Sequence, residues 1–349
     1  MQTRLTLATN NGDIAGGEVM LLALAEAAGD LGLAVTVVAP TGPSELLDAA
    51  RAAGFAAVAI RATTRSAYAR GLRAWDAAER SGLLWCNGLV PALATAGHPD
   101  RVVHLHQLPR GRAQRVAALL ARVGARRVVV PSRTMAADVP GSTPLPNWCA
   151  EVVLPSGSHH RDPDAVTLGY LGRHSTDKGV DVLARALALL DRRTPGRYRL
   201  LLAGESRFVD EADALRVRDA LDRVAPLVER AGWIGRADFF AAIDLAVFPS
   251  VWAEPFGLVV TEAQSARVPF VVTDAGALPE VAGPGYPWIA RAGDPASLAD
   301  TIERALAEAS PAHLDAARDR WRREYSPEAG RRRLAALLAG LGVRVGGAA

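Results

Sequence analysis

Residues Val247–Thr273 read VFPSVWAEPFGLVVTEAQSARVPFVVT, and this stretch describes one complete unit of a parallel α/β sheet. An apolar run ends at Pro249, a loop carrying Glu254 and Gly257 follows, and a helical pattern then leads to a second apolar run at Phe270–Thr273. Two such runs separated by a helix are typical of a βαβ unit with buried, parallel strands. In open sheets of this kind, the loop after a strand lies at the edge where ligands bind.

The same alternation of short apolar runs and helical patterns extends over most of the 349 residues. Strands are predicted at Leu5–Ala8, Val35–Ala39, Ala57–Ile60, Leu83–Cys86, Val102–His106, Val128–Val130, Val166–Leu171, Tyr198–Leu202, Leu245–Pro249 and Phe270–Thr273. The fold class is therefore α/β, with two Rossmann-like, doubly wound parallel sheets, and the length of the chain suits two domains.

The domain boundaries follow from a break in this pattern. The segment 154–164, LPSGSHHRDPD, shows no apolar period and predicts a linker. We therefore predict an N-terminal domain at 1–153, a linker at 154–165 and a C-terminal domain at 166–325. Residues 326–349 are predicted to form a final helix, which can pack back on the N-terminal domain, and a tail. Two sheets joined in this way predict a cleft between the carboxyl ends of their strands.

Composition and charge exclude several classes of protein. Half of the residues are hydrophobic, and the net charge of +3 with scattered basic residues does not predict a nucleic-acid-binding surface. Cys86 and Cys149 are far apart, as expected of a reduced intracellular chain. The first residues lack a signal-peptide pattern, and no apolar run is long enough to span a membrane, so a cytoplasmic protein is expected.

Two carboxylates flank the helix start in the opening stretch. Glu254 lies in the loop after the strand, and Glu262 lies about one turn into the helix. A carboxylate can accept two hydrogen bonds, which suits neighbouring hydroxyls on a sugar or a ribose. The backbone N–H groups of Phe256, Gly257 and Leu258 lie at the predicted helix N-terminus, where a phosphate group is favoured.

Two other interpretations of these carboxylates exist. A glycosidase would place an acid and a nucleophile on either side of one bond, but a phosphate-binding loop favours a donor that is already activated. A helix-capping acid with a separate surface glutamate is the plain structural alternative.

The stretch RHSTDKGV, Arg173–Val180, contains Lys178, which is the only lysine among the 40 basic residues. It follows a predicted strand and opens a helix. Arg173 offers a planar two-point contact and Lys178 a compact charge, a combination that suits a diphosphate. A solvated charged loop is the alternative, although an arginine would serve there as well as the single lysine does.

The first half of the chain supplies two further candidates. Gly16 and Gly17 follow the first strand and open a helix, so their backbone can approach a phosphate closely, although they do not form a GxGxxG dinucleotide pattern. His106 ends a predicted strand and can donate to a ligand hydroxyl, whereas His104 within the strand is expected to be structural. A plain turn and a structural histidine are the alternatives.

The predicted helix Arg112–Val123 is basic and amphipathic. One sector of the helical run RAQRVAALLARVGARR, residues 112–127, is predicted to hold Arg112, Arg115, Arg122, Arg126, Val116, Leu119 and Val123. Such a face can lie on an acidic membrane surface, so peripheral membrane contact stays open. A helix packed on the sheet with a solvated rim is the commoner arrangement and is the primary expectation.

Together these residues resemble a known family. From the Gly-Gly loop through Arg173–Gly179 to Glu254–Ala263, the chain is similar to the GT-B glycosyltransferases of the large retaining family called glycosyltransferase family 4. Glu254 and Glu262 match the E-x7-E pair of that family, which is the most specific part of the resemblance. The resemblance implies a GT-B fold, with an acceptor-binding domain and a nucleotide-sugar-binding domain facing a central cleft.

The resemblance also implies roles for the candidate residues. Arg173 and Lys178 would neutralise the donor diphosphate, Glu254 would hold the transferred sugar, Glu262 the ribose, and Ile234 would lie near the base. The implied donor-binding set is Gly16, Gly17, Arg173, Lys178, Ile234, Glu254, Phe256, Gly257, Leu258 and Glu262.

The expected function is transfer of a sugar from a nucleotide diphosphate sugar, UDP in preference to GDP, to a small-molecule acceptor. The implied chemistry retains the anomeric configuration, uses no metal or other cofactor, and relies on His106, Arg173, Lys178 and Glu254. Natural-product or cell-envelope glycoside biosynthesis is the expected setting. A nucleotide-sugar epimerase or a phosphorylase of the same fold, and a non-catalytic nucleotide-sugar-binding protein, remain alternatives. The sequence identifies neither the acceptor nor the oligomeric state.

Overall fold

The computed structural model describes residues 3–109, 111–155, 165–206 and 209–346. The chain divides into two compact units, one formed by Met1–Cys149 with Pro327–Ala349 and the other by Ala150–Ser326. The first unit thus ends four residues before position 153, and most of the segment predicted as a linker lies outside the described residues.

The first unit alternates strands and helices in chain order. Its strands are β1 (Arg4–Ala8), β2 (Ala34–Pro40), β3 (Ala56–Ile60), β4 (Leu83–Asn87), β5 (Arg101–His104), β6 (Ala125–Val130) and β7 (Thr143–Pro144). Its helices before the crossing to the second unit are α1 (Gly16–Asp30), α2 (Glu45–Ala52), α3 (Arg65–Ala78), α4 (Leu89–Ala94), α5 (Gly111–Ala121) and α6 (Arg133–Asp138).

The second unit repeats this alternation. Its strands are β8 (Val166–Leu171), β9 (Tyr198–Ala203), β10 (Val228–Gly232), β11 (Leu245–Phe248), β12 (Phe270–Thr273) and β13 (Ile289–Ala290). Its helices are α7 (Val180–Arg193), α8 (Glu211–Asp222), α9 (Arg236–Ala241), α10 (Leu258–Ala266), α11 (Leu278–Ala282), α12 (Pro295–Glu308) and α13 (Pro311–Arg320), with a 3-10 turn at Ala225–Leu227 and a π-helical turn at Trp321–Tyr325. The chain then returns to the first unit as α14 (Pro327–Gly340).

Each unit contains one parallel sheet with the doubly wound strand order. The first sheet runs β3-β2-β1-β4-β5-β6-β7 and the second runs β10-β9-β8-β11-β12-β13. The order reverses between β1 and β4 in the first sheet and between β8 and β11 in the second. These two topological switch points are where a sheet of this kind binds ligands.

Helix α14 completes the core of the first unit. Leu334 and Leu338 are fully buried and pack in the same cluster as Leu24 of α1. Helix α14 also passes so close to Trp148 that a Cβ atom on Gly330 would lie 2.2 Å from the indole ring. The last helix is therefore an integral part of this unit.

Helix α5 packs on the first unit through its smallest side chains. Its only buried residues are Ala118 and Ala121, while Val116, Leu119 and Val123 are all exposed. The expected helix packed on the sheet with a solvated rim is thus held by two alanines alone, and its larger apolar side chains lie on the solvated side. Alanine lets the helix approach the unit closely, and this contact turns the larger side chains outward.

Among the described residues, no helix combines the length and the apolar character that crossing a membrane requires.

Candidate functional site

The two candidate loops of the second unit are neighbours at its switch point. Residues 172–179 follow β8 and residues 249–257 follow β11, and these strands pair in parallel. The chain leaves β8 towards β9 on one side and β11 towards β12 on the other. Right-handed crossovers then send the following helices to opposite faces of the sheet, which opens a crevice between the two loops.

Lys178 and Glu254 form an ion pair across this crevice. The Lys178 Nζ atom donates to Glu254 Oε1 at 2.8 Å and to Oε2 at 2.6 Å. The Ser250 hydroxyl donates to the same Oε2 atom at 3.1 Å. The two charged side chains retain 25% and 11% of their exposure, so the pair is largely buried but remains open to solvent. The structure thus joins the single lysine to the first carboxylate of the opening stretch.

Two glycines set the geometry of the Lys178–Glu254 pair. Gly179 has a φ of 72°, and a Cβ atom there would lie 1.9 Å from the Pro249 carbonyl oxygen. Gly276 has a φ of 57°, and its Cβ atom would lie 2.3 Å from the backbone nitrogen of Glu254. A larger residue at Gly179 would push the loop 172–179 away from the loop 249–257, and one at Gly276 would push the segment after β12 away from Glu254. Glycine is therefore required at both positions by close backbone approach.

Arg173 lies at the start of the same loop and is half-buried. Its carbonyl oxygen accepts a hydrogen bond of 2.5 Å from the Tyr170 hydroxyl. Within the described part of the chain, no carboxylate forms an ion pair with its guanidinium group, so the positive charge is available for a ligand. The loop is further held by Asp213, a buried residue that the sequence analysis missed, which accepts from the Thr176 backbone N–H at 3.2 Å.

The loop 249–257 ends at the N-terminus of α10. Gly257 caps this helix with a φ of 96°, and the first N–H groups that follow have no partner within the helix turn. The Phe256 side chain is buried, with its ring 5.5 Å from that of Tyr325. Only the backbone of Phe256 can therefore serve a ligand, together with the amides of Gly257 and Leu258.

Glu262 of α10 pairs with Arg236, the first residue of α9. The Arg236 Nε atom lies 3.0 Å from Glu262 Oε2, and the Glu262 side chain is 11% exposed. Burial raises the pKa of Glu262, and the nearby Arg236 opposes this shift. Ile234 lies half-buried just before α9. Sequence reasoning missed Arg236 because nothing marks it among the many arginines of the chain.

A second cluster lies at the switch point of the first unit. Gly16 and Gly17 open α1 after β1, and Asn87 ends β4. The Asn87 Nδ2 atom donates to the Gly17 carbonyl oxygen at 3.2 Å. His106 lies two residues beyond the end of β5, so the predicted strand Val102–His106 is too long, and its Nε2 atom is 2.6 Å from Asn87 Oδ1. Asn87 therefore links the Gly-Gly loop to His106.

The hydrogen bonds of Asn87 determine which ring nitrogen of His106 carries the proton. Because Nδ2 must donate to the Gly17 carbonyl, the Oδ1 atom faces His106, and His106 Nε2 carries the shared proton. Burial lowers the pKa of His106 to about 4, so the ring is neutral at neutral pH. The Nδ1 atom is then an unprotonated acceptor.

His104 is buried and packs against His106. Its ring centroid lies 3.9 Å from that of His106, and the Trp85 Nε1 atom donates to His104 Nδ1 at 3.3 Å. Burial lowers the pKa of His104 well below its usual range. Two neutral imidazoles therefore lie in contact, with their planes tilted by 44°, beside the Gly-Gly loop.

Glu18 supports the loop that precedes α1. This buried carboxylate accepts from the Thr9 hydroxyl at 3.1 Å and from Asn11 Nδ2 at 2.9 Å. Burial raises its pKa, and these hydrogen bonds oppose the shift. A Cβ atom on Gly16 would meet no atom within 4 Å, so packing does not explain the glycine at that position.

The described residues contain no group of three or more histidine, cysteine, aspartate or glutamate side chains arranged to hold a metal ion.

Two family profiles match consecutive parts of the chain. Residues 14–155 match "Glycosyltransferase Family 4", and residues 165–308 match "Glycosyl transferases group 1". Among curated proteins, a D-inositol 3-phosphate glycosyltransferase 2 from Catenulispora acidiphila is 33% identical over 153 residues. This match covers 40% of the present chain and 35% of the relative, so the chain matches about a third of that protein's length.

Solved structures of similar fold align with nearly the whole chain. Anabaena HepE in complex with UDP-glucose has a TM-score of 0.81 at 20% identity, covering 97% of this chain and 100% of that one. Sucrose-phosphate synthase from Thermosynechococcus elongatus has a TM-score of 0.82 at 19% identity, covering 98% and 99%. At such identities the likeness concerns the fold. With two consecutive profiles matching most of its length, the chain belongs to the GT-B glycosyltransferases of family 4.

Proposed function

We propose that the protein transfers a sugar from a nucleotide diphosphate sugar, UDP in preference to GDP, to a nucleophile on a small-molecule acceptor. The proposed reaction retains the anomeric configuration and requires no metal ion. The observation that carries this proposal is the Lys178–Glu254 ion pair at the switch point of the second sheet.

The Lys178–Glu254 ion pair can contact both the sugar and the diphosphate of a nucleotide-sugar donor. Both Glu254 oxygens accept from Lys178 and Oε2 also accepts from Ser250, so Oε1 keeps a further lone pair with which it can accept from a sugar hydroxyl. The remaining N–H group of Lys178 and the guanidinium of Arg173 can donate to phosphate oxygens. When the diphosphate departs, negative charge develops on those oxygens. Fixed cations in a partly buried site stabilise this charge.

The remaining residues of the second unit suit the nucleotide. Glu262 is buried and held by Arg236, so a carboxylate is kept in place for two neighbouring ribose hydroxyls. The backbone N–H groups of Gly257 and Leu258 at the start of α10 favour a phosphate. We propose that Ile234, half-buried in the loop before α9, contacts the base.

For the first unit we propose that His106 acts as a neutral hydrogen-bonding group beside the transferred sugar. Its Nδ1 atom is an acceptor because Asn87 engages Nε2. The Gly-Gly loop is proposed to approach the donor diphosphate through its backbone. We assign no general base, since a leaving phosphate can itself accept the proton of the acceptor.

The relatives support the choice of donor and acceptor class. The solved structure of HepE contains UDP-glucose, and the curated relatives include D-inositol 3-phosphate glycosyltransferases. We therefore propose a UDP-sugar donor and a hydroxylated acceptor in natural-product or cell-envelope glycoside biosynthesis.

A donor screen tests this proposal. Purified protein would be incubated with UDP- and GDP-sugars, first alone and then with polyol acceptors, while nucleotide release is measured with and without EDTA. We expect a UDP-sugar to raise the melting temperature, EDTA to leave turnover unchanged, and NMR of the product to show the anomeric configuration of the donor.

Three outcomes would contradict the proposal. Release of a sugar 1-phosphate that depends on inorganic phosphate would indicate a phosphorylase, and conversion of the UDP-sugar to its epimer would indicate an epimerase. Binding of donor without turnover, for every acceptor tried, would indicate a binding protein.

A further inference from the structure

Helix α5 presents large apolar side chains to solvent. The exposed fractions are 55% for Val116, 62% for Leu119, 53% for Leu120 and 55% for Val123. A cluster of this kind is unusual on a soluble surface, where exposed hydrophobic residues are normally scattered singly. We call these four residues the α5 apolar stripe.

The α5 apolar stripe is continuous because its spacing follows the helical period. Its members stand at positions i, i+3, i+4 and i+7, which places them on one side of the helix and its final turn. The buried residues Ala118 and Ala121 lie on the opposite side. The helix is therefore held to the unit by its small residues and offers its larger ones to an external partner.

The surroundings of the stripe are strongly basic. Between Asp100 and Asp138 the sequence contains no acidic residue and eight arginines, of which Arg101 is buried and Arg126 pairs with Asp100. Arg112 and Arg115 of α5 are exposed, and neither forms an ion pair with any residue that the structure describes. Arg122 donates to the Pro140 carbonyl oxygen and flanks the stripe beside Arg115. The apolar stripe, with the unpaired cations Arg112 and Arg115 beside it, is complementary to a surface that is both apolar and anionic.

We infer that the α5 apolar stripe docks on an anionic lipid bilayer. The helix would lie in the plane of the interface, with Leu119 and Leu120 among the acyl chains and Arg112 and Arg115 at the headgroups. A second copy of the chain fits less well, because a twofold contact would bring the same unpaired arginines of both copies together. This inference concerns location and is independent of the sugar-transfer chemistry.

Vesicle co-sedimentation of the full chain tests the inference. The vesicles would be phosphatidylglycerol mixed with phosphatidylcholine, or phosphatidylcholine alone. We expect binding to the anionic vesicles that weakens as salt is raised, and little binding to the neutral ones. The double variant Leu119→Ser/Leu120→Ser should bind about tenfold more weakly, as should Arg112→Gln/Arg115→Gln.

Helix α8 offers matched controls. Leu215 and Arg218 are exposed there, on a helix with several acidic residues, so Leu215→Ser/Arg218→Gln should bind vesicles as the wild type does. All variants change exposed side chains and should keep the wild-type melting temperature.

The inference fails if the wild type does not bind anionic vesicles at low salt, or if the α5 and α8 variants bind equally. A lipid-free dimer that Leu119→Ser/Leu120→Ser converts to a monomer would instead assign the stripe to a second copy of the chain.

Discussion

At the scale of single residues, the second unit depends on one cation and one carboxylate. Lys178 is held by both oxygens of Glu254, and neither side chain is free to rotate away without losing charged hydrogen bonds. An arginine could not reproduce this contact, because its planar fork has a different reach and shape from a compact ammonium group. This explains why a chain that otherwise uses arginine has a lysine here.

Lys178→Ala and Glu254→Ala are each expected to lower transfer by about 100- to 1,000-fold, because each removes a contact to charge that develops during the reaction. Lys178→Arg should also be impaired. The measurement is kcat/KM with the preferred UDP-sugar. Arg192→Ala, which changes an exposed residue near the C-terminal end of helix α7, is the control and should be unaffected. Near-normal turnover in Lys178→Ala would refute the assignment.

Asn87 is expected to position His106 rather than to contact substrate. Asn87→Ala removes the acceptor that holds the His106 Nε2 proton, so nitrogen NMR should show a mixture of ring tautomers in place of one. Asn87→Asp keeps an acceptor but adds a negative charge, which should raise the pKa of His106 from about 4. A single, unchanged His106 tautomer in Asn87→Ala would show that the Asn87–His106 hydrogen bond does not fix the position of the ring proton.

The two adjacent buried histidines, His104 and His106, also predict a pH dependence of stability. The pKa of His106 is lowered from 6.5 to about 4, and that of His104 is lowered as well. Below pH 6.5 the unfolded chain binds protons that the folded chain does not, so stability should fall as pH drops from 6.5 towards 4. Urea unfolding at pH 5 and pH 7 measures this difference. The loss of stability between pH 7 and pH 5 should be smaller in His106→Asn than in the wild type. An equal loss in both proteins would contradict the lowered pKa of His106.

At the scale of elements, the C-terminal helix α14 closes the core of the first unit. Its leucines pack with α1, and Gly330 allows the helix backbone to approach Trp148. A glycine inside a helix normally costs about 1 kcal/mol relative to alanine. Here close packing outweighs that propensity, because there is no space for a methyl group.

Gly330→Ala is therefore expected to lower the free energy of unfolding by about 1–3 kcal/mol, the usual cost of overpacking. Gly340→Ala in the same helix is the matched control, since a Cβ atom there meets nothing within 4 Å. It should be neutral or slightly stabilising. Thermal and urea unfolding followed by circular dichroism measure both variants. A stabilised Gly330→Ala would mean that α14 does not pack on Trp148 as described.

At the scale of the whole molecule, the chain builds two doubly wound sheets and places a polar cluster at the switch point of each. The first cluster is neutral and centres on Asn87 and His106. The second is charged and centres on Lys178 and Glu254. The diphosphate is the most strongly charged group of a nucleotide-sugar donor. The charged cluster of the second unit is therefore the one expected to bind it.

Hydrogen exchange with and without UDP can test that division. We expect UDP to protect residues 172–179 and 249–257, because both loops would gain contacts to the diphosphate, while α8 exchanges as before. The protection should be lost in Lys178→Ala. If UDP leaves the exchange rates of both loops unchanged, a diphosphate site at the second switch point is contradicted.

The fold class followed from local pattern alone. Alternating apolar runs and helical periods predicted the α/β class and most strands of both sheets, because burial on both faces imposes a continuous apolar run on a parallel strand. The strands β7, β10 and β13 were not predicted; β10 reads VERAG, and its ladder with β9 gives it a strand conformation that its composition does not favour. The individual residue types of the loops were also visible, including the single lysine and the paired glutamates.

Only the tertiary structure decided which of these residues meet. Lys178 and Glu254 are 76 positions apart, and they touch because β8 and β11 are neighbours in the sheet. The Arg236–Glu262 and Asn87–His106 contacts depend on strand order and loop path in the same way. The outward turn of α5 was likewise hidden, since the periodicity of a helix defines a stripe but not the direction in which that stripe faces. Local pattern is set by neighbours along the chain, whereas these contacts are set by packing between distant segments.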